Sequence, residues 1–148
     1  MKQFEVVEYE LIPDDYRLFT VNPKQGAVCL FVGIVREWTK GIRTEYLHYE
    51  AYVPMAEKKL AEIGDEINDR WPGTVVSIGH RIGALDISDI AVVIAVSSPH
   101  RKDSYAANEY AIERIKEVVP IWKKEIWEDG EEWIGGQRGY HSSYKEEQ

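Results

Sequence analysis

The sequence predicts a single α+β domain, with a mixed or antiparallel sheet covered by two main helices. Three observations lead there. The chain has 148 residues, 44% of them hydrophobic and 30% charged, which is the size and balance of one domain with its own core. Two segments carry apolar residues at helical spacing: Met55, Ala56, Leu60, Ile63 and Ile67, then Ala107, Tyr110, Ala111, Ile115 and Val118. The strand-like segments around them do not alternate regularly with helices, as a doubly wound parallel fold would require.

The elements follow in order. Phe4 to Glu10 is rich in Phe, Val and Tyr and predicts a strand. Pro13-Asp14-Asp15 opens a short helical turn. Ala27 to Val32, β-branched and aromatic between Gly26 and Gly33, predicts a buried central strand. Trp38 to Arg43 is a polar loop around Gly41. Thr44 to Tyr52 alternates, with Tyr46, His48 and Glu50 on one face and Leu47, Tyr49 and Ala51 on the other. Pro54 suits the first turn of the first helix, which Trp71-Pro72-Gly73 stops. Thr74 to Ile82 and Asp89 to Ser97 predict two more strands. After Ser98-Pro99 comes the second helix, capped by Asp103 or Ser104 and ended by Pro120. Trp122 to Trp127 and Glu132 to Ile134 can pair as a hairpin around Asp129-Gly130. The domain is thus expected over residues 1–134, with a polar C-terminal tail over 135–148.

The formal net charge of −8 argues against non-specific binding to nucleic acid or an anionic membrane, both of which reward basic surfaces. A small anion is still compatible with this charge, because a few clustered cations dominate once salt screens distant charges. One cysteine, Cys29, excludes an internal disulfide and fits a reducing compartment. Met1-Lys2-Gln3-Phe4 leads straight into strand-like sequence without a secretory pattern, and no apolar run is long enough to span a bilayer. A cytoplasmic location is expected.

Phosphate-loop, dinucleotide, zinc-helix and serine-elbow signatures are missing. His48, His80, His100 and His141 are scattered without metal-ligand spacing, so neither a metal nor a cofactor is expected. What remains is a set of basic residues at the ends of predicted elements: Arg36, His80-Arg81, His100-Arg101, Lys116 and Lys123-Lys124. Strand ends and helix termini are where ligand sites gather. Spacing alone leaves bland alternatives open. Lys116 lies opposite the second helix's apolar stripe, as a solvated lysine would. Lys123 could be the outer face of an edge strand, Arg36 a loop arginine, and Cys29 a small core residue.

Taken together, these residues resemble the large, catalytic subunits of molybdopterin synthases, the MoaE family. The matching pieces run in order from about Phe4 to Trp133: Gly33-Ile34-Val35-Arg36, then Leu47-His48-Tyr49-Glu50-Ala51-Tyr52 with Met55-Ala56, then His80-Arg81-Ile82-Gly83 and His100-Arg101. Lys116 and Pro120-Ile121-Trp122-Lys123-Lys124-Glu125 follow, and Trp133 closes the pattern. Two positions depart from it. Ser88 stands where many members carry glycine, and Tyr105 where they carry phenylalanine.

The resemblance implies an α/β-hammerhead type of fold and a sulfur transfer. Cyclic pyranopterin monophosphate would receive two sulfurs, becoming the dithiolene of molybdopterin. The sulfur would come from a small ubiquitin-like partner ending in a Gly-Gly thiocarboxylate. A homodimer of large subunits, each with one small subunit, is implied as a heterotetramer. Carried over residue by residue, Lys116 and Lys123 are implied as catalytic. Ile34, Val35, Arg36, His100, Arg101, Lys124 and Glu125 are implied as substrate-binding, with His100 and Arg101 contributed across the dimer. One lysine would move protons while the other stabilises anionic charge, in either assignment. Two other classes stay open on the residues themselves: an unrelated phosphate-handling hydrolase or transferase, and a non-catalytic module whose lysines bind an acidic partner.

Overall fold

The computed structural model describes residues 1–128 and 130–134. Asp129 of the expected turn and the expected tail, 135–148, lie outside the described residues. The chain runs β1 (Phe4–Val7), α1 (Pro13–Thr20), β2 (Ala27–Ile34), β3 (Trp38–Thr39), β4 (Ile42–Ala51) and α2 (Val53–Arg70). It continues with β5 (Val75–Arg81), β6 (Gly83–Asp86), β7 (Ile90–Ser98), α3 (Arg101–Val118), β8 (Ile121–Trp127) and β9 (Gly130–Ile134). The class is mixed α+β, and the strands divide between two sheets.

The first sheet has the order β1-β5-β7-β2, with β1 parallel to β5 and the other pairs antiparallel. Helices α2 and α3 cover one face of it, α2 on β1 and β5, α3 on β7 and β2. Leu60, Ile63 and Ile67 of α2 and Ala107, Ala111 and Ile115 of α3 meet Val76, Ile78, Ile94 and Val96 there. Complete burial of each large aliphatic side chain contributes roughly 1.5–3 kcal/mol. Met55, expected on the α2 stripe, is exposed. On the opposite face lies α1, a full two turns where one was expected, with Tyr16 and Leu11 packed on Val93 and Ala95.

The second sheet runs β3-β4-β8-β9, and β6 also pairs with β4. The β8–β9 hairpin forms, but Gly130 of the expected turn lies in β9, paired with Trp127. The predicted loop over Trp38 to Arg43 is a tight hairpin instead: Trp38 pairs Arg43 and Thr39 pairs Ile42. Lys40 and Gly41 both take positive φ, which lets two residues turn the chain. The four-residue β6 lies between the two strands expected over Thr74 to Ile82 and Asp89 to Ser97. Ser88, at the departure from the family pattern, has φ 74° in the turn from Asp86 to Asp89, the conformation that glycine adopts without cost.

Two further expectations are corrected. The strand Ala27–Ile34 is the outer strand of its sheet rather than a central one. Leu30, Val32 and Ile34 are 39%, 37% and 59% exposed, so this chain leaves one face of β2 uncovered. An apolar run says that a strand will be covered, but not by which chain. The cap of α3 is the second correction. Asp103 and Ser104 lie inside the first turn, and the backbone N–H of Ser104 donates to the Ser98 hydroxyl (3.1 Å), which reaches across Pro99. No helix among the described residues is long and apolar enough to cross a membrane.

Candidate functional site

A cavity of about 580 Å³ opens where the two sheets meet the C-terminal end of α3. Each side chain reaches it for a local reason. In β2 the ladder to β7 slips between Gly33 and Ile34, a bulge that re-aims the chain just before Ile34, Val35 and Arg36. All three line the cavity. Lys116 comes from the last turn of α3, where a cation also complements the helix dipole. Past the break at Pro120, β8 pairs antiparallel with β4, setting Lys123 opposite Tyr49 and Glu125 opposite Leu47. Directly opposed residues share a face, and these four form one wall.

The lining residues include three cations, Arg36, Lys116 and Lys123, and one carboxylate, Glu125, on a chain of net charge −8. Arg36 and Lys116 are exposed at the rim, Lys123 is half-buried, and Glu125 is 6% exposed. Between them lie Phe31, Val92, Ile112, Ile115, Val119 and Ile121, a largely apolar interior. Such a site can take an anion at its mouth and an uncharged group inside.

Three expected site residues are not brought to this cavity. Lys124 follows Lys123 on a strand, so the pleat sends it to the other face. There its Nζ lies 3.2 Å from Glu131 and 4.7 Å from the centre of the Trp133 ring. His100 and Arg101 are exposed at the opposite end of α3 from Lys116. Fifteen residues of helix put them roughly 22 Å from it along the axis.

Two lining residues were named in the sequence without being given a role in the site. Tyr49 was placed on the correct face of its strand and given no role. His80 stood with Arg81 among the basic residues at strand ends; it continues the inward face of Val76 and Ile78 on β5 and ends in the cavity. Its Nδ1 lies 2.8 Å from the Arg81 carbonyl oxygen, and its ring meets that of Tyr49 edge-on at 5.0 Å. Burial pushes its imidazole down to about 4, only partly opposed by that carbonyl. Burial also raises the Cys29 thiol, which is not among the lining residues and is no activated nucleophile. Among the described residues no group of three or more His, Cys, Asp or Glu side chains could hold a metal ion.

The family model described as "MoaE protein" matches residues 6–118. The chain is 77% identical over 141 residues to a molybdopterin synthase catalytic subunit of Staphylococcus carnosus, covering 95% of this chain and 94% of that one. Its fold is similar to a solved molybdopterin synthase from Staphylococcus aureus, with a TM-score of 0.89 and 73% identity over 91% of this chain and 98% of the other. A more distant likeness, of fold alone, is to a protein–protein complex of subunits 1 and 2 of the molybdopterin-converting factor from Helicobacter pylori. There the TM-score is 0.72 at 23% identity, over 93% of this chain and 92% of that one.

Proposed function

This chain belongs to the MoaE protein family, and from that premise we infer that it is the catalytic subunit of a molybdopterin synthase. Its reaction moves two sulfurs from the thiocarboxylated C-terminus of a small ubiquitin-like subunit to cyclic pyranopterin monophosphate. The observation that carries this reading is the cluster of Arg36, Lys116 and Lys123 around one cavity on an acidic protein. Both reactants are anionic, and both must lie in one water-poor site for transfer to occur.

Each residue then has a task. Arg36 at the rim makes forked, charge-assisted hydrogen bonds to the phosphate. That anchoring, with the apolar walls from Ile34 and Val35, holds the reacting carbons beside the partner's tail. In each transfer a carbon–sulfur bond forms on the pterin while a carbon–oxygen bond at the same carbon breaks, its oxygen leaving with the electron pair either as water or on the phosphate, and the sulfur's bond to the partner's carbonyl carbon breaks. Water supplies the oxygen that leaves the partner as an ordinary carboxylate. Lys116 at the open end moves the protons of these steps. Lys123, farther in, balances the negative charge of the thiocarboxylate and of the tetrahedral oxyanion that water creates. Glu125 beside it orients that ammonium. Lys124 braces the wall from behind through Glu131 and Trp133 of β9.

The homodimer belongs to the same reading. The uncovered apolar residues of β2 suit a second copy, and His100 and Arg101 are too far from their own cavity to serve it. Across a two-fold interface they can complete the phosphate site of the neighbouring copy.

Single-turnover sulfur transfer by Lys116→Ala and Lys123→Ala tests the assignment. Losses of about a hundredfold to ten-thousandfold are expected in each, with binding of the small subunit retained. Wild-type rates in both variants would remove the two lysines from the mechanism.

A further inference from the structure

The most buried polar lining residues are Glu125 and a histidine that the proposed mechanism does not use. His80 is 7% exposed and stands among Val92, Ile115, Val119 and Ile121, with Tyr49 against its ring. Its orientation is fixed twice, by the Tyr49 contact and by the Arg81 carbonyl. A carbonyl oxygen only accepts, so the nitrogen facing it, Nδ1, must carry the ring proton. Burial keeps the ring uncharged at neutral pH. The other nitrogen, Nε2, is therefore a proton-free acceptor. Among the described residues, the contact to Arg81 is the one hydrogen bond of this side chain.

We propose that His80 is a specificity-determining residue, whose Nε2 accepts a hydrogen bond from a ring N–H or amino group of the substrate's heterocycle. This rests on the reaction inferred above and adds to it the part of the substrate that the floor reads. The gradient of the cavity supports the orientation. Arg36 and Lys116 stand exposed at the rim, where phosphate charge remains near water, and Lys123 and Glu125 share one wall, whereas His80 is set among apolar and aromatic side chains. A fused, flat, uncharged ring system with N–H donors matches that floor, and an anion does not. A buried acceptor also discriminates strongly, since an analogue without the donor leaves it unpaired.

The test has two parts. In the first, His80→Phe keeps a flat ring against Tyr49 but removes the acceptor, whereas His80→Gln keeps an acceptor. The KM for cyclic pyranopterin monophosphate should rise about tenfold to a hundredfold in His80→Phe while kcat at saturation stays within about threefold, and His80→Gln should recover most of the loss. In the second, the wild-type protein labelled with ¹⁵N-histidine is titrated with the pterin, with inorganic phosphate, and with the small subunit. The Nε2 resonance of His80 should move with the pterin and stay fixed with the other two. An Nε2 signal that ignores the pterin, or one that follows the small subunit instead, overturns the proposal even if a variant fails to fold. An unchanged KM in a folded His80→Phe overturns it as well. Failure of the wild-type protein to turn over the pterin would instead sink the underlying reaction.

Discussion

Acid should unfold this protein partly through a single ring. His80 keeps a pKa of about 4 in the folded chain against an ordinary 6.5. Between those values the unfolded chain takes up a proton that the folded chain refuses, so stability falls as pH falls from 6.5 toward 4. Each pH unit inside that interval costs about 1.4 kcal/mol, and the whole interval costs roughly 3 kcal/mol. From about pH 7.5 to about pH 5.5 the loss is about 1.4 kcal/mol, because titration of the unfolded state has only begun. Other groups also weaken the fold in acid. Arg114 holds the Glu66 carboxyl below its usual range, and Arg17 does the same for Asp14. Subtracting a variant removes them. Urea unfolding of the wild-type protein and His80→Phe at both pH values should give stabilities that converge, or cross in favour of the variant, by about 1.4 kcal/mol on acidification. Parallel behaviour of the two proteins would show that His80 charges freely in the folded state, and the neutral acceptor in the cavity floor would fall with it.

Three further outcomes are expected. Arg101→Ala and Lys116→Ala, each inactive alone, should complement when mixed and allowed to exchange, because half the dimers would be mixed and each would hold one intact site. Activity should return to about one quarter of wild type, and its absence would argue against a site shared between copies. Lys124→Ala should transfer sulfur within about threefold of wild type while losing up to about 1 kcal/mol of stability, since its partly exposed ion pair and ring contact lie on the far face. A hundredfold loss of rate would instead bring Lys124 into the chemistry. Gly79→Ala should lower thermal stability by about 1–3 kcal/mol, because a Cβ there collides with the Tyr16 ring and hydroxyl, and that hydroxyl donates to buried Glu5 at 2.9 Å. An unchanged melting temperature would contradict the packing of α1 on β5.

How far the fold was legible depended on whether a pattern is local. The stripe of Leu60, Ile63 and Ile67 and the alternation around Leu47 and Tyr49 report directly which face is buried, and both agree with the structure. In β6, Gly83–Asp86 offers too few residues for alternation to declare itself. The Ser98 hydroxyl caps α3 from beyond a proline, outside the window in which caps are sought. At β2 the limit was one of principle, because Leu30, Val32 and Ile34 read as core residues whichever chain covers them.

The cavity was legible only in part, for similar reasons. Helical periodicity put Lys116 on the exposed side, correctly, but exposure to water and exposure to a cavity are the same statement in one dimension. The register that sets Lys123 beside Tyr49 joins residues far apart in sequence, and resemblance rather than spacing brought Lys123 forward. Resemblance also carried Lys124 along with Lys123, where the strand's two-residue period separates them. His80 was found at a strand end, and its role could have been read from sequence as well. It is the polar member of the inward series Val76, Ile78, His80, and a polar residue in an apolar register asks for a partner.

The central claim is that this chain, supplied with a sulfur-bearing partner, builds a dithiolene on a pterin phosphate. Its most direct test is a single turnover of the wild-type protein with a thiocarboxylated Gly-Gly small subunit and cyclic pyranopterin monophosphate, followed by mass spectrometry of both reactants. The expected result is a pterin carrying two added sulfurs, with two partner tails converted to carboxylates for each. A pterin recovered unchanged while the partner binds, or one hydrolysed without gaining sulfur, would contradict it.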